Sequence, residues 1–266
     1  MRRLHPVVIA LALCAIIFPY IPLISVAVFS VNDTRYGLIW RGFTLKWYRL
    51  LIHDQAILHY TWNTMVLAVV STLVATVLGT LLAVGMDRFP WTRKINTFLD
   101  VTLYIPVVIP DIIMAAALVV AYSLLRAVSD LFRPGLLDMI LSHITFELAF
   151  VALVVRGRLV SLGKDVEEAG RDLFGSSFYL FRRVTLPLLT PAIIAGAMLA
   201  FTLSLDDFII SFFTAGPAST TLPLYIYGAV RRGVTPEIHA LSTLMMLTTI
   251  VLVIGSERLT RRKAGL

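Results

Sequence analysis

Long apolar runs alternate with short polar segments along the chain. The apolar runs cover roughly residues 7–30, 62–86, 97–125, 138–160, 188–214 and 238–257. A helix needs about 20 predominantly apolar residues to cross the hydrocarbon of a bilayer. Each run is long enough for one crossing, so the pattern predicts an all-α membrane protein with six transmembrane helices.

The composition agrees with this pattern. Of the 266 residues, 58% are hydrophobic, and the mean hydropathy is +0.87. Soluble domains contain about 45–50% apolar residues. The net charge of +7 does not indicate nucleic-acid binding, because membrane proteins concentrate Lys and Arg in their cytoplasmic loops.

The distribution of basic residues predicts the orientation. With the N-terminus inside, 15 of the 23 Lys and Arg residues fall in cytoplasmic segments and 8 in outer segments. The positive-inside rule therefore favours a topology in which both termini are cytoplasmic. The same topology places the polar segment at residues 163–187 on the cytoplasmic side.

The segment at residues 163–187 is predicted to form two short helices joined by a Gly-Ser-Ser turn. Asp165 is suited to cap the first helix, and Glu167 and Glu168 fall in its first turn, where the helix dipole favours acids. Pro187 is expected to end the second helix. Three aromatic residues at spacings of four and three, which would form one apolar face, are Phe174, Phe178 and Phe181.

Part of this segment resembles the EAA coupling loop of ABC-importer permeases, through Glu168-Ala169-Gly170, Phe181 and Val184-Thr185-Leu186-Pro187. The resemblance implies that the segment docks on a separate cytoplasmic ATPase. The residues expected to carry this coupling are Glu167, Glu168, Ala169, Gly170, Gly175, Phe178, Leu186 and Pro187. Two positions depart from the family pattern: Gly170 replaces an alanine, and Phe174 replaces a glycine. The alternative is an ordinary amphipathic helix on the membrane surface.

Five carboxylates fall inside the predicted spans, where no Lys or Arg is predicted at the same depth. They are Asp100, Asp111, Glu147, Asp206 and Asp207, with His143 nearby. A carboxylate at the centre of a transmembrane helix costs about 2.5–3.5 kcal/mol even on insertion scales. Acids without a basic partner are therefore expected to face water, a partner subunit or a cation. The candidate substrate path consists of Asp111, Glu147, Asp206 and Asp207.

Two of the acids in the third span also have a structural interpretation. Asp100 lies close to the cytoplasmic end of its span and is expected at the membrane interface. Pro106 and Pro110 should each bend the span, since proline removes a helix hydrogen bond. Asp111 could then cap the helix that restarts after Pro110.

The remaining acids have comparable alternatives. Glu147 could bond to His143, which precedes it by one helical turn. Asp206 and Asp207 are adjacent and point in different directions on a helix. At most one of the pair is therefore expected to line a path, while the other caps or bonds locally.

Three runs in the last third of the chain resemble spermidine/putrescine permeases. They are Ser204–Phe213, Gly216–Pro223 and Arg231–Ser242, with Trp47-Tyr48 as a further likeness near the N-terminus. The resemblance implies a permease of a polyamine importer, or of an importer of related organic cations. It also implies a type I ABC importer (MetI-like) bundle whose last five spans form the core, with the first span packing on a partner permease.

The same resemblance implies the rest of the assembly. The expected partners are two copies of an ABC ATPase, a second permease that is a homologous but different chain, and a periplasmic binding protein, in the inner membrane of a bacterium. No ATP site is encoded, because the P-loop-like stretch from Gly157 to Lys164 has the wrong spacing and Asp165 follows it. ATP would be bound by the partner, so this chain is expected to be no enzyme and to need no cofactor or metal.

The predicted organisation has three parts. Residues 1–61 hold the first span and an amphipathic outer loop in which residues 43–49 place aromatics beside bases, a pattern suited to the interface. Residues 62–257 form a five-helix core, and residues 258–266 a basic cytoplasmic tail. The last outer segment, residues 214–239, is expected to be a loop with a short surface piece near Leu224–Tyr227.

Two other classes of protein remain open from the residues alone. A secondary transporter could use Asp111 or Asp206 as a proton relay, although no inverted repeat supports this. A membrane scaffold that transports nothing is the other alternative, and the acids in the spans argue against it.

Overall fold

The computed structural model describes residues 6–34 and 39–263. Arg2, Arg3 and Arg35, which entered the prediction of orientation, lie outside the described residues, as do residues 264–266 of the predicted tail. Every named element is helical. The helices are α1 Pro6–Ile17, α2 Tyr20–Phe29, α3 Lys46–His53, α4 Gln55–Arg88, α5 Arg93–Val108, α6 Asp111–Leu125, α7 Leu136–Leu162, α8 Asp165–Asp172, α9 Ser177–Leu180, α10 Leu186–Asp206, α11 Ile209–Thr214, α12 Leu222–Arg232 and α13 Pro236–Lys263, with a 3₁₀ turn at Asp130–Phe132 and a π-helical segment at Phe181–Thr185.

Five helical stretches within the described residues are long and apolar enough to cross a membrane. They are Leu11–Phe29, Gln55–Arg88, Leu136–Leu162, Ser177–Asp206 and Pro236–Gly255. A sixth crossing is obtained if α5 and α6, which meet at a bend of 114°, form one span. These stretches coincide with the six predicted runs, so the all-α membrane fold is confirmed.

The third span is broken at Pro110, as its sequence predicts. Ile109 has an extended backbone with ψ 135°, and Pro110 continues it with ψ 136°. Pro106, by contrast, lies inside α5, which continues for two residues beyond it. The chain thus turns where two consecutive residues leave the helical region, and not at the first proline.

The chain divides into two compact units. One comprises Tyr60–Leu224 and Ile250–Leu266, and in it α7 packs against α5, α10 and α11. Two glycines let helices approach α7: a Cβ on Gly79 of α4 would lie 2.9 Å from Val151 Cβ, and one on Gly196 of α10 would lie 3.3 Å from Val151 Cγ1. Val151 itself is fully buried. Helices α4 and α10 therefore both pack closely against α7 at Val151.

The other unit comprises Met1–His59 and Tyr225–Thr249. In it Trp47 of α3 is buried, and its indole N–H donates to the carbonyl of Asn32 at 2.9 Å. The Asn32 side chain is also buried, donating to the carbonyl of Ile39 and accepting from the amide of Arg41. Trp47 thus holds the loop through its buried ring, while Phe43 of the same stretch is exposed. The prediction that residues 43–49 lie at the membrane interface stays a prediction.

Two predicted ends differ from the observed ones. The segment at residues 214–239 contains the eleven-residue helix α12, which is longer than the short surface piece predicted near Leu224–Tyr227. Helix α13 continues from Pro236 to Lys263 and therefore enters the predicted tail. Both segments keep helical geometry beyond the point at which their hydrophobic pattern weakens.

Candidate functional site

The polar segment forms two helices, as predicted, with different ends. The first helix, α8, begins at Asp165, and Lys164 occupies the position before it without a side-chain cap. Asp165 therefore does not cap the helix, and that prediction is wrong. Asp165, Glu167 and Glu168 all lie in the first turn, where the helix dipole favours their charges.

The turn between α8 and α9 places an aromatic residue on the surface. Phe174 has φ 60° and is 98% exposed. A bulky side chain at positive φ is unusual, and glycine is the residue that adopts this conformation most readily. Because Phe174 lies in the turn, it does not share a helical face with Phe178, contrary to the prediction from their spacing.

Two glycines allow the helices of the loop to approach each other. A Cβ on Gly170 would lie 2.4 Å from Leu180 Cδ2, and one on Gly175 would lie 2.8 Å from the carbonyl of Gly170. The amide of Gly175 donates to that carbonyl at 3.0 Å. Ser176 caps α9 by accepting from the amide of Tyr179. The loop is thus a compact unit closed over Leu180.

The two neighbouring glutamates face different surroundings. Glu167 is partly buried: its carboxylate lies 3.0 Å from Arg88 Nε, and it accepts from Thr185 Oγ1 at 2.8 Å. Glu168 and Ala169 are exposed. Arg88 was missed by the sequence reasoning, because a basic residue after a span is explained by the positive-inside rule alone.

Pro187 does not end the second helix, and that prediction is wrong. The π-helical segment Phe181–Thr185 joins α9 to α10, and the amide of Leu186 donates to the carbonyl of Phe181 five residues earlier. Leu186 and Pro187 are the first two residues of α10, where a proline needs no amide partner. The wider turn before Pro187 lets the helix continue into the membrane span.

The acid in the third span nearest to its start has a basic partner. Asp100 of α5 forms an ion pair with Arg156 Nη1 of α7. The prediction that no basic residue lies level with these acids is therefore wrong for Asp100. The pair joins α5 to α7.

His143 joins two of the predicted path residues inside the protein. Its Nδ1 lies 3.5 Å from Glu147 Oε1, and its Nε2 lies 3.3 Å from Asp207 Oδ2. Each ring nitrogen also reaches a serine hydroxyl, at 2.7 Å for Ser204 and 3.1 Å for Ser211. A doubly protonated imidazole satisfies both sides at once, so the ring can supply the positive charge that the sequence did not place here.

Glu147 is fully buried within this cluster. Ser71 Oγ of α4 donates to its Oε1 at 2.9 Å and lies 3.2 Å from Ser204 Oγ. Its other oxygen, Oε2, has no hydrogen-bond partner among the residues that the structure describes. The interpretation of Glu147 as a partner of His143 agrees with this geometry. The cluster gathers side chains from α4, α7, α10 and α11.

The adjacent aspartates separate as their positions on a helix predict. The Asp207 carboxylate accepts from the amides of Ile210 at 3.2 Å and Ser211 at 2.8 Å and so satisfies two amides in the first turn of α11, where Phe208 holds the cap position. Asp206, the last residue of α10, is exposed. Asp111 is also exposed, in the first turn of α6, where Pro110 and not Asp111 holds the cap position. The structure therefore divides the four predicted path residues into two that lie inside and two that lie on the surface.

No group of three or more His, Cys, Asp or Glu side chains in the described part of the chain is placed to hold a metal ion.

Comparison with known proteins places this geometry in a family. The family of binding-protein-dependent transport system inner membrane components matches residues 75–262. The spermidine/putrescine transport system permease protein PotC of Escherichia coli (strain K12) is 40% identical over 244 residues, which cover 92% of this chain and 90% of the relative.

Solved structures agree with the fold. A bacterial ABC transporter that imports the acidic polysaccharide alginate has a chain that superposes with a TM-score of 0.74 at 19% identity, covering 96% of this chain and 95% of that one. A chain of the MetNI methionine ABC transporter, in an inward-facing conformation, gives 0.64 at 18% identity, covering 78% and 96%. At these identities the likeness shows the fold, which is the MetI-like bundle that the sequence predicts.

The family decides between the classes of transporter that the residues left open. A permease of an ABC importer is a non-catalytic, multi-pass inner-membrane subunit that works with an ATPase, a partner permease and a binding protein, and it needs no cofactor of its own. A secondary transporter and a scaffold are thereby excluded. The match over most of the chain shows that this protein belongs to the binding-protein-dependent transport system inner membrane component family of ABC-importer permeases.

Proposed function

We propose that this chain is the permease subunit of an ATP-driven importer of polyamines such as spermidine and putrescine. The carrying observation is its 40% identity to a spermidine/putrescine permease over 92% of its length. The chemistry supports the proposal, because polyamines carry several positive charges and two membrane helices here present exposed carboxylates, Asp111 and Asp206.

The four acids have different roles in this proposal. Asp206 and Asp111 contact the passing cation, since both are exposed on this chain. Glu147 and Asp207 do not contact the cation directly, because His143 already lies 3.5 Å from Glu147 and 3.3 Å from Asp207. A substrate ammonium group would have to displace the imidazole to reach either of these two carboxylates.

The polar segment is the proposed docking surface for the ATPase. The residues exposed on its outer surface include charged, small, aliphatic and aromatic side chains. They are Glu168, Ala169, Leu173, Phe174 and Phe178. Glu167, Gly170 and Gly175 shape the segment from within, and Leu186 and Pro187 begin the helix that follows it. An aromatic side chain that is exposed on the isolated subunit is the kind of residue that anchors a protein interface.

The proposed assembly has two ATPase copies, a second, different permease and a periplasmic binding protein. Both termini and the segment at residues 163–187 then lie in the cytoplasm, as the basic residues predict. Residues 62–257 form the transport core, to which the first span is an addition.

Reconstituted transport tests the function directly. Proteoliposomes containing the full complex should accumulate labelled spermidine or putrescine when binding protein is outside and ATP inside. Complexes without ATP, and vesicles with this chain alone, are the controls. Polyamine uptake by this chain without the ATPase, or uptake of neutral solutes and not of polyamines by the full complex, would contradict the proposal.

Thiol labelling tests the orientation. Cys14 is the only cysteine, so Cys14→Ala gives a background into which Ser176→Cys is introduced. A membrane-impermeant maleimide should label this position in inverted vesicles and not in intact cells. Labelling in intact cells would place the segment on the outer side and reject its docking to a cytoplasmic ATPase.

A further inference from the structure

The contact between the end of α4 and the polar segment has no role in the function described so far. We propose that Arg88 is a positioning residue for coupling, which together with Glu167 and Thr185 makes α4 move with the docking segment. The proposal rests on the proposed function, since it needs the segment at residues 163–187 to receive motion from the ATPase. It divides the two adjacent glutamates between an internal role for Glu167 and a docking role for Glu168.

Arg88 is held at several points. It is the last residue of α4, and its Nε lies 3.0 Å from the Glu167 carboxylate, while its Nη2 donates to the carbonyl of Gly163 at 2.9 Å. Its Nη1 also contacts Asp87. The guanidinium therefore binds both α8 and Gly163, the residue that begins the segment. Because its N–H donors have a fixed planar geometry, these contacts fix the orientation of α4 relative to the segment.

Glu167 extends the contact to a third element. Thr185, the last residue of the π-helical segment, is buried, and its hydroxyl donates to Glu167 Oε1 at 2.8 Å. One carboxylate thus joins α4, α8 and the start of α10. Single π-helical turns occur frequently at functional sites, and this one lies at the junction that the carboxylate holds.

Burial separates this contact from an incidental surface ion pair. The side chains of Arg88 and Glu167 are 12% and 14% exposed. Exposed pairs contribute little, because water and salt screen them. Here each charged group has lost most of its water, so removal of Arg88 takes from Glu167 this basic partner, whereas removal of Glu167 leaves Arg88 paired with Asp87. Separation of α4, α8 and the start of α10 would therefore break the Arg88–Glu167 ion pair and the Thr185 hydrogen bond.

Glu168 supplies a matched control within the same turn. Successive residues on a helix point about 100° apart, and Glu168 is exposed. Both glutamates have the same charge and the same place near the helix N-terminus. Glu167→Ala and Glu168→Ala therefore remove the same charge from the same turn and differ only in the direction of the lost side chain.

A double-mutant cycle in the complete reconstituted complex tests the proposal. Arg88→Ala and Glu167→Ala should each leave the ATPase bound to the membrane subunits while lowering polyamine uptake per ATP hydrolysed at least fivefold. The double variant should lose no more than either single variant. Additive losses, or uptake per ATP unchanged in both single variants, would overturn the role of Arg88.

A cross-link keeps the test decisive if the alanine variants assemble poorly. In the Cys14→Ala background, Arg88→Cys and Glu167→Cys are joined by a short bismaleimide. Before cross-linking this variant should show the same loss as the alanine variants, and the cross-link should raise its uptake per ATP at least twofold, because it joins the two elements again. Abolished uptake would show that they must separate during the cycle and would reject the proposal.

The Glu168 variant distinguishes failure of this inference from failure of the proposed function. Glu168→Arg should release the ATPase during purification. If it does so while the Arg88 and Glu167 variants transport normally, only the positioning role is rejected. If Glu168→Arg keeps both ATPase and uptake, the docking segment itself is rejected, and the positioning role with it.

Discussion

The imidazole of His143 lies 3.3 Å from the Asp207 carboxylate across the break between α10 and α11. The same ring lies 3.5 Å from Glu147 on its other side. One side chain on α7 therefore contacts two acids, and one of them lies where the helix of the fifth span ends. The neighbouring carboxylate of Asp206 is left exposed at that interruption.

Removal of the imidazole should destabilise the protein strongly. His143→Ala leaves two buried carboxylates without a basic neighbour, and loss of one partner from a buried ion pair typically costs about 3–5 kcal/mol. His143→Gln, which can still donate a hydrogen bond, should cost less. Thermal unfolding of the detergent-solubilised protein measures both effects. His53→Ala on the exposed surface is the control, and an equal melting temperature for His143→Ala and His53→Ala would contradict the role of the ring.

The two adjacent aspartates should separate transport from stability. Asp206→Asn should raise the KM for a polyamine about fivefold, the equivalent of an exposed charge pair worth about 1 kcal/mol, and leave unfolding unchanged. Asp207→Asn should instead destabilise by about 1–3 kcal/mol, because it weakens a buried ion pair and two amide contacts. Uptake and melting are measured on both variants. Melting curves that shift equally in the two would argue against the division.

Two glycines of α4 should respond oppositely to the same substitution. A Cβ on Gly79 would lie 2.9 Å from the carbonyl of Leu148, so Gly79→Ala should push α4 from α7 and cost about 1–3 kcal/mol. A Cβ on Gly85 would meet no atom of the described residues within 4 Å, and Gly85→Ala should stabilise by about 0.5–1 kcal/mol. The comparison uses unfolding of the purified subunit. A loss of stability in Gly85→Ala as large as in Gly79→Ala would show that the packing against α7 is not the cause.

The exposed aromatic at Phe174 should matter for docking and not for folding. Phe174→Gly relieves a left-handed conformation that costs a non-glycine residue about 1–2 kcal/mol, so the isolated subunit should not lose stability. Loss of an aromatic anchor should weaken ATPase binding about tenfold, or about 1.4 kcal/mol. Phe174→Ala, which removes the ring but keeps the strain of an ordinary residue at positive φ, should give the same loss and exclude relief of strain as its cause. Unchanged binding in both variants would assign the aromatic no part in docking.

The spans were predictable because each depends only on local composition. Runs of apolar residues indicated all six, and the two prolines of the third span indicated that it is bent. The same rule applied to Pro106, which lies inside α5, so it did not say which proline marks the break. The size of the bend, 114°, was not predictable, because it depends on how α6 packs on the rest of the bundle.

The contacts of the acids were less predictable because they join distant parts of the chain. Glu147 and His143 are one turn apart, and their contact followed from the helical period. Asp207 and Arg156 reach His143 and Asp100 only after folding, across 64 and 56 residues of sequence. Polar groups at that separation carry no periodic signal.

The wrong prediction at Pro187 concerned the end of a helix. Proline normally stops a helix because its ring clashes with the preceding turn. The π-helical turn before Pro187 widens the backbone there, and nothing in the residue pattern at Phe181–Thr185 indicates a wider turn. A rule that considers proline alone therefore could not predict that the helix is continuous from Ser177 to Asp206.

The helix is therefore continuous from the second half of the segment at residues 163–187 into the fifth span. The 30 residues from Ser177 to Asp206 are about 45 Å long at 1.5 Å per residue. A continuous helix transmits displacement along its axis, so under the proposed docking a movement at Ser177 would reach the Asp206 carboxylate. An extra residue inserted midway would rotate that carboxylate by about 100° relative to Ser177. The ATPase could then still dock as proposed, but its motion would reach Asp206 in a different direction.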